Sequence, residues 1–252
     1  MRMRSAGTEA AIEYRKKHRI RSTSININKI LKNETLEVEY QDLDGHDARL
    51  KPGDGCGIIF VNKNIKETGK IKFSLLHELG HYISESREQR YCYINGITIY
   101  KKNTEERFAD DFATEMLIPE KSVQRRIKWK GDGYTAIDRM TRIYGTSLTC
   151  TAIRYAEAGD YPIAVVYSKE GIIKWSITNH RFRYRNARKG GIVDAETQAG
   201  RIYRKKEVDY RKPMRVRAEQ WFPEAMQERK TNYLNEQSIG MGAYKSVLTI
   251  LW

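Results

Sequence analysis

Apolar residues recur at intervals of three and four between residues 65 and 83. Four positions follow this spacing: Ile71, Leu75, Leu79 and Tyr82. Because an α-helix has about 3.6 residues per turn, such spacing places the four side chains on one face. The pattern therefore predicts a helix with one buried face over residues 65–83.

A helix and two strands are predicted before this segment. Residues 7–18 (GTEAAIEYRKKH) favour a short helix. The segments TLEVEY (35–40) and GCGIIFVN (55–62) are rich in β-branched and aromatic residues, which is typical of strands. The Gly and Asp cluster KPGDG (51–55) between the two strands predicts a turn.

The next segments predict a hairpin and a second helix. Residues 93–100 (YINGITIY) contain an Asn-Gly pair that favours a hairpin turn. Residues 104–117 (TEERFADDFATEML) predict a helix with Thr104 as its N-cap and acidic residues in its first turn. Pro119 is well placed to open a further element.

Two more helices are predicted at residues 134–144 and 148–159, separated by the short linker Gly-Thr-Ser. Helices joined by a tight, glycine-containing turn are typical of a DNA-reading helix-turn-helix, but two core helices have the same pattern. Both interpretations stay open for this helical segment, at about residues 130–160.

The pattern changes after about residue 160. Residues 161–179 (YPIAVVYSKEGIIKWSITN) predict two strands joined by a turn at residues 169–171. We therefore expect an α+β protein with two domains, at residues 1–160 and 161–252, the second being smaller and strand-containing.

Charge and cysteine content narrow the function classes. The 252 residues carry 46 Lys and Arg against 32 Asp and Glu, and the formal net charge of +14 favours polyanions such as nucleic acid. Cys56, Cys92 and Cys150 give neither a disulfide framework nor a CxxC metal site. The N-terminus lacks a signal-peptide core, and no stretch approaches the roughly 18 apolar residues of a spanning helix. We therefore expect a cytoplasmic protein.

The helix predicted at 65–83 carries the segment HELGH. Residues four apart in a helix lie one above the other, so His77 and His81 present two imidazoles to one point. Zinc accepts imidazole and carboxylate ligands, and a catalytic site keeps one position for a water whose proton Glu78 could take. Two histidines could also fall at this spacing by chance, but the apolar helix face and the room for close packing at Gly80 favour a metal site.

A catalytic zinc site needs a third protein ligand from elsewhere in the fold. The other histidines, His18, His46 and His180, lie in a basic run, a turn and the second domain, and their context favours none of them. Glu106 and Asp110 lie four apart in the next predicted helix and share a face. One carboxylate could bind the metal while the other orients a ligand imidazole.

HELGH followed by EERFADDFATEMLIP (105–119) resembles the ImmA/IrrE family of zinc peptidases. The family motif is HExxH and then a segment of the form ExxA(N/D)xFAxxLLMP. The resemblance implies a zincin-like domain in which Glu106 is the third Zn²⁺ ligand and Asp110 is the partner of a ligand histidine. Glu105 is the nearest competitor for the ligand role, but its spacing to Asp110 is one residue too long.

The resemblance also implies a substrate. Members of this family are similar to dedicated proteases that cleave helix-turn-helix repressors, and the cleavage relieves repression of phage, mobile-element, DNA-damage or anti-phage-defence genes. We therefore expect a site-specific zinc endopeptidase with Glu78 as its catalytic residue. Two alternatives stay open: a DNA-binding regulator in which zinc is structural and no peptide is cut, and a broad-specificity peptidase.

Basic charge is concentrated in residues 181–230, with fifteen Lys and Arg against seven Asp and Glu. Aromatic residues lie among these cations, a mixture that lets single-stranded nucleic acid stack its bases and neutralise its phosphates. The candidate nucleic-acid-binding residues are Arg181, Arg183, Tyr184, Arg185, Arg204, Lys205 and Lys206. The alternative is a solvated charged surface with its aromatics in the core. The resemblance implies a GAF-like sensor domain here, at which single-stranded DNA could activate the peptidase.

Cys92 lies between the predicted metal helix and Glu106. A thiolate at this position could fill the open position of zinc and hold the enzyme inactive. The alternative is a small buried hydrophobic residue.

Overall fold

The computed structural model of the protein describes residues 4–23, 25–88, 101–126, 133–185, 187–242 and 245–252. The chain forms two compact units, one of Met1–Pro119 with Thr141–Ser147 and the other of Glu120–Met140 with Leu148–Trp252. Both units combine helices with a sheet, which confirms the expected α+β class. Within the described ranges no helix has the length and apolar character to cross a membrane.

The first unit contains a three-stranded sheet and the helices that surround it. Its elements are α1 (Ala6–Lys17), α2 (Ile27–Asn33), β1 (Leu36–Gln41), β2 (Ala48–Gly53), β3 (Cys56–Asn62), α3 (Thr68–Glu88) and α4 (Lys101–Leu117). The strand order is β1–β3–β2, with β1 parallel and β2 antiparallel to the central β3. β2 is therefore an edge strand of this sheet.

The second unit contains a five-stranded sheet and most of the remaining helices. Its elements are α5 (Glu120–Arg126), α6 (Gly133–Tyr144), α7 (Leu148–Ala158), β4 (Ala164–Lys169), β5 (Ile172–Thr178), α8 (Gln198–Tyr203), β6 (Met214–Arg217), β7 (Tyr233–Met241) and β8 (Ser246–Leu251). The last four residues of α6, 141–144, belong to the first unit. The strand order is β5–β4–β8–β7–β6, and every neighbouring pair is antiparallel. The closing strand β8 is buried along its whole length.

Most predicted elements occur close to their predicted positions, including α1, β1, β3, α3, α6, α7, β4 and β5. The turn predicted at 51–55 is shorter than expected, because residues 51–53 belong to β2. That strand escapes prediction since it is short and largely exposed and ends in Pro52 and Gly53, two residue types that are depleted in strands.

The prediction for the start of α4 is wrong, whereas the new element expected at Pro119 is present. The helix begins at Lys101, so Thr104 lies inside its first turns and is not its N-cap. Pro119 directly precedes α5, which begins at Glu120. The hairpin predicted at 93–100 lies outside the described residues.

The compact units do not coincide with the predicted division at residue 160, because α7 packs on β4 and β5 of the second sheet. Asn179 follows β5 and is fully buried. Its side-chain amide donates to the carbonyl oxygens of Ala156 at 3.1 Å and Gly159 at 2.6 Å. These bonds tie the end of α7 to the sheet. A separate function for residues 1–160 and 161–252 stays a prediction.

Helices α3 and α4 pack closely in the first unit. A Cβ atom added to Gly80 on α3 would lie 2.9 Å from the Cα and 3.3 Å from the Cβ of Ala109 on α4. Ala109 itself is fully buried. Only glycine at position 80 therefore allows the two backbones to approach this closely, as the sequence predicted.

Helix α1 supports α4 from another side. Ala10 and Ala11 on α1 are buried, as is Phe112 on α4. The guanidinium of Arg15 donates to the carbonyl oxygen of Met116 in the last turn of α4 at 2.7 Å, and to that of Ser22 at 2.8 Å. A cation at a helix C-terminus also interacts favourably with the helix dipole.

A buried carboxylate organises the second unit. Glu236 on β7 is fully buried and accepts hydrogen bonds from the Ala199 amide at 2.8 Å, the Ser238 hydroxyl at 2.7 Å and the Trp221 indole at 3.3 Å. Ala199 lies in the first turn of α8. Glu236 thereby joins α8 and the Trp221 segment to the sheet.

We expect Gly80→Ala to lower the free energy of unfolding by about 1 to 3 kcal/mol, because the added methyl group must displace α4. In an exposed helix the same substitution would instead stabilise by about 1 kcal/mol. Urea denaturation measures the effect. The control is Gly242→Ala, whose added Cβ would meet no atom within 4 Å. Equal stability of the two variants would contradict the expected packing.

We expect Glu236→Ala to cost about 3 kcal/mol or more, because three buried donors lose their acceptor. Thermal unfolding followed by circular dichroism is the measurement. Asn235→Ala, at an exposed position of the same strand, serves as the matched control and should change stability by less than about 0.5 kcal/mol. A similar small change for Glu236→Ala would show that this carboxylate does not hold α8.

Candidate metal centre

Three side chains bring potential metal ligands to one point in the first unit. His77, His81 and Glu106 each offer an atom, and these atoms lie within 4.8 Å of one another. The two histidine Nε2 atoms are 3.0 Å apart, and the Glu106 carboxylate oxygens lie 3.4 Å from His77 Nε2 and 3.6 Å from His81 Nε2. The i, i+4 spacing on α3 produces the imidazole pair.

This donor set fits a tetrahedral zinc ion. Bonds of about 2.0 to 2.2 Å place the ligand atoms of such a site roughly 3.3 to 3.6 Å apart. The observed separations, 3.0 to 3.6 Å, span that range. Among the residues that the structure describes, two imidazole nitrogens and one carboxylate form the cluster, and such a set leaves a fourth position for water or substrate, as in catalytic sites.

Asp110 orients the first ligand. Its Oδ1 atom lies 2.9 Å from His77 Nδ1. Because a carboxylate only accepts hydrogen bonds, Nδ1 carries the proton and the lone pair of Nε2 is directed to the ligand cluster. Burial lowers the pKa of His77, but the hydrogen bond and charge of Asp110, with Glu78 and Glu106, raise it above its usual value. A metal ion must therefore compete with a proton for this ring.

Glu78 lies beside the ligand cluster without belonging to it. Its Oε2 atom accepts a hydrogen bond of 2.9 Å from the backbone amide of Leu50 on β2. Burial raises the pKa of Glu78, and the nearby His77 and His81 only partly oppose this effect. A carboxylate with a raised pKa is a stronger proton acceptor, as a general base requires.

The cluster opens into a cleft of about 470 Å³ between α3 and β2. Phe73, one helical turn before His77, and Leu50 contribute apolar surface, whereas His46 and Arg49 contribute polar groups. The sequence did not predict that residues 46–50 border the site, because they precede His77 by 27 to 31 residues. Only the pairing of β2 with β3 brings them there.

Of the other candidate ligands, His46 borders the cleft without belonging to the ligand cluster, and the remaining ones lie elsewhere. His18 ends α1 and stacks on Tyr14, with 4.1 Å between the ring centroids. His180 is an exposed residue of the second unit. Glu105 lies beside Glu106 on α4 but lines a different groove, with Ser5 and Phe108. Cys92 lies outside the described residues, so its proposed inhibitory role stays a prediction.

Several residues of the expected nucleic-acid patch have structural contacts. Tyr184 is only 3% exposed and donates to Glu228 at 2.9 Å, so its ring is not available for base stacking. Arg183 pairs with Glu228 at 2.8 Å, and Arg185 donates to the carbonyl oxygen of Asn179 at 2.8 Å. The remaining candidates are exposed: Arg181, Arg204, Lys205 and Lys206.

An aromatic residue beside a cation is exposed on β6 and β7. The guanidinium of Arg215 lies 4.2 Å from the ring centroid of Tyr233, which is 49% exposed. Arg217 is exposed two residues further along β6. The basic segment DYRKPMRVR contained both arginines, but Tyr233 lies beyond it and could be found only from the pairing of β6 with β7.

Comparisons with known proteins identify a family and a similar fold. Residues 32–150 match the family described as the IrrE N-terminal-like domain, Peptidase M78. A solved structure of a Mycobacterium tuberculosis transcriptional regulator is similar over 97% of this chain and 75% of that chain, with a TM-score of 0.62 and 14% sequence identity. At this identity the similarity shows a shared fold alone. No curated protein matches the chain.

The matched segment includes α3, α4 and β2, and so contains every residue of the histidine and carboxylate cluster. Peptidase M78 is a family of metallopeptidases, and its match agrees with the motif from which the resemblance was drawn. Residues 32–150 of this chain belong to the ImmA/IrrE family.

Proposed function

We propose that this chain is a zinc endopeptidase that cleaves a helix-turn-helix transcriptional repressor at one site. The observation that carries the proposal is the position of Glu78 beside a ligand set of two imidazoles and one carboxylate. A structural zinc site has no use for a half-buried carboxylate next to its ligands, whereas peptide hydrolysis requires a general base there.

Each side chain has a distinct part in the proposed reaction. His77, His81 and Glu106 would hold the zinc ion, which when bound would supply Lewis-acid polarisation of the scissile carbonyl group and a lowered pKa for a water molecule. Glu78 takes one proton from the attacking water and then gives it to the leaving amine. Asp110 keeps the His77 ring in the tautomer and orientation of a ligand.

The proposed substrate rests on the family resemblance. ImmA/IrrE members are similar to proteases dedicated to repressors encoded near them, and residues 32–150 carry the domain of this family. A dedicated protease should cut one partner and leave unrelated unfolded proteins intact, which separates it from a broad-specificity peptidase.

A regulator without proteolysis is the alternative. The similar solved structure is titled a transcriptional regulator, and a structural zinc could serve such a protein. Among the described residues, however, the cluster offers three ligands, whereas structural zinc sites are closed by four. The three-ligand composition favours the peptidase.

Single-stranded DNA is the proposed activator. The observation in its favour is the exposed pair of Arg215 and Tyr233, with Arg217 beside it. A tyrosine ring can stack on any base, and arginines neutralise the adjacent phosphates. The exposed Arg204, Lys205 and Lys206 add positive charge to the same unit.

We expect Glu78→Gln to slow repressor cleavage by about 10²- to 10⁴-fold, because glutamine cannot take up a proton. The substrate to test is a helix-turn-helix repressor encoded beside this gene, as the family resemblance leads us to expect, and its fragments are followed by mass spectrometry. Zinc affinity, measured by competition with a chromogenic chelator, should stay unchanged because Glu78 is not a ligand.

Glu106→Gln is the matched control, since it removes a ligand carboxylate and should weaken zinc binding as well as cleavage. Full cleavage by the Glu78→Gln variant would refute the proposed catalysis. Equal cleavage of the repressor and of casein by the wild-type protein would instead favour broad specificity.

We expect Tyr233→Ala to weaken binding of a fluorescein-labelled single-stranded oligonucleotide by about 1 to 3 kcal/mol, because one stacking platform is lost. Fluorescence anisotropy at low salt measures the affinity. Tyr40→Ala removes an exposed tyrosine of the other unit and should leave the affinity unchanged. A flat titration with the wild-type protein would rule out this activator.

A further inference from the structure

The backbone groups of the edge strand β2 alternate between its partner strand and the cleft. Asn62 on β3 donates to the carbonyl oxygen of Asp47 at 2.9 Å, which makes this pair a hydrogen-bonded one. In an antiparallel ladder every second residue bonds the partner strand, so Arg49 and Lys51 also bond β3. The residues between them direct their backbone groups to the open edge: Ala48, Leu50 and Pro52.

Two features of β2, at Pro52 and at the Leu50 amide, agree with this alternation. Pro52 lacks an N–H group and occupies an outward position, where the ladder needs no donor. The Leu50 amide, at the equivalent position two residues earlier, donates to Oε2 of Glu78 at 2.9 Å. This outward-facing amide, which the ladder does not use, thus donates to a carboxylate on α3.

The start of β2 is anchored independently of this bond. Asp47 pairs with Lys70 in the first turn of α3 at 2.6 Å. The side-chain amide of Asn62 donates to the carbonyl oxygens of Leu43 and His46, each at 2.9 Å. β2 is therefore held over α3 by contacts that do not involve Glu78, and the Leu50 amide has a fixed place above the helix.

We propose that the backbone amide of Leu50 is a positioning group for Glu78. A glutamate side chain has several rotatable bonds, and a general base must hold one oxygen towards the attacking water. The bond from Leu50 fixes Oε2 and leaves Oε1 to take the proton. The amide contacts neither water nor substrate, and it acts through Glu78. This role rests on the proposed peptidase function.

Hydrogen exchange of the metal-free protein tests the contact without zinc or substrate. In ¹⁵N-labelled wild-type protein the Leu50 amide should exchange at least about 10-fold more slowly than in Glu78→Ala. The Arg49 amide, bonded within the sheet, should exchange equally slowly in both. Equal Leu50 rates in the two proteins overturn the proposal. Faster exchange at both Leu50 and Arg49 also overturns it, because Glu78 would then hold the whole strand.

The catalytic test uses Leu50→Pro, which deletes the N–H group at a position where the neighbouring Pro52 shows that proline fits. Leu50→Ala is the matched control, since it changes the side chain and keeps the amide. We expect kcat for repressor cleavage to fall about 10- to 100-fold in Leu50→Pro relative to Leu50→Ala. KM and the zinc dissociation constant should stay within about twofold, because neither depends on this bond.

Equal kcat values for the two variants overturn the proposal, as does a loss of zinc affinity in Leu50→Pro that accounts for the lost activity. If the wild-type protein cleaves no repressor, the peptidase function fails by itself. The exchange rates of the metal-free protein then still decide whether Leu50 holds Glu78.

Discussion

The close approach of α3 and α4 is the constraint on which the candidate site depends. HELGH supplies two imidazoles from one helix, but a ligand set needs a carboxylate from another. Glu106 reaches the histidines because Gly80 brings α4 almost into backbone contact with α3 at Ala109. The same approach places Asp110, one turn after Glu106 on α4, next to Nδ1 of His77, the ring nitrogen that does not face the ligand cluster. The absence of a side chain at Gly80 thus sets both the distance from Glu106 to the histidines and the contact that orients the His77 ring.

The parts of the site on α3 and α4 could be predicted because their information is local. The i, i+4 spacing of His77 and His81, and that of Glu106 and Asp110, each fixes a shared helix face within a few residues of sequence. The contribution of β2 could not be predicted. Its residues are mostly exposed and include Pro52 and Gly53, and its place over the cleft follows from pairing with β3.

In the second unit, buried polar residues make one strand difficult to predict from its local sequence. β4 and β5 were predicted from their apolar sequence, whereas β7 carries Glu236, Gln237 and Ser238, all fully buried. A run of polar residues normally indicates a surface, since Glu and Gln are seldom buried without partners. Here the partners are distant in sequence. α8 and Trp221 bond Glu236, α8 also bonds the Ser238 amide, and Tyr134 and Arg211 bond Gln237. The ring of Tyr184 is also buried, although it lies in a basic segment from which an exposed ring was predicted.

The hydrogen bond from the Arg15 guanidinium to the Met116 carbonyl oxygen affects where this protein can be cut into fragments. The segment that matches the family begins at residue 32, after α1 has ended. Yet α1 covers one side of α4, the helix that carries Glu106. A fragment cut at the borders of the family match would keep every metal ligand and lose the support of the helix that presents one of them. Borders of sequence similarity and borders of cooperative folding are therefore different properties of this chain.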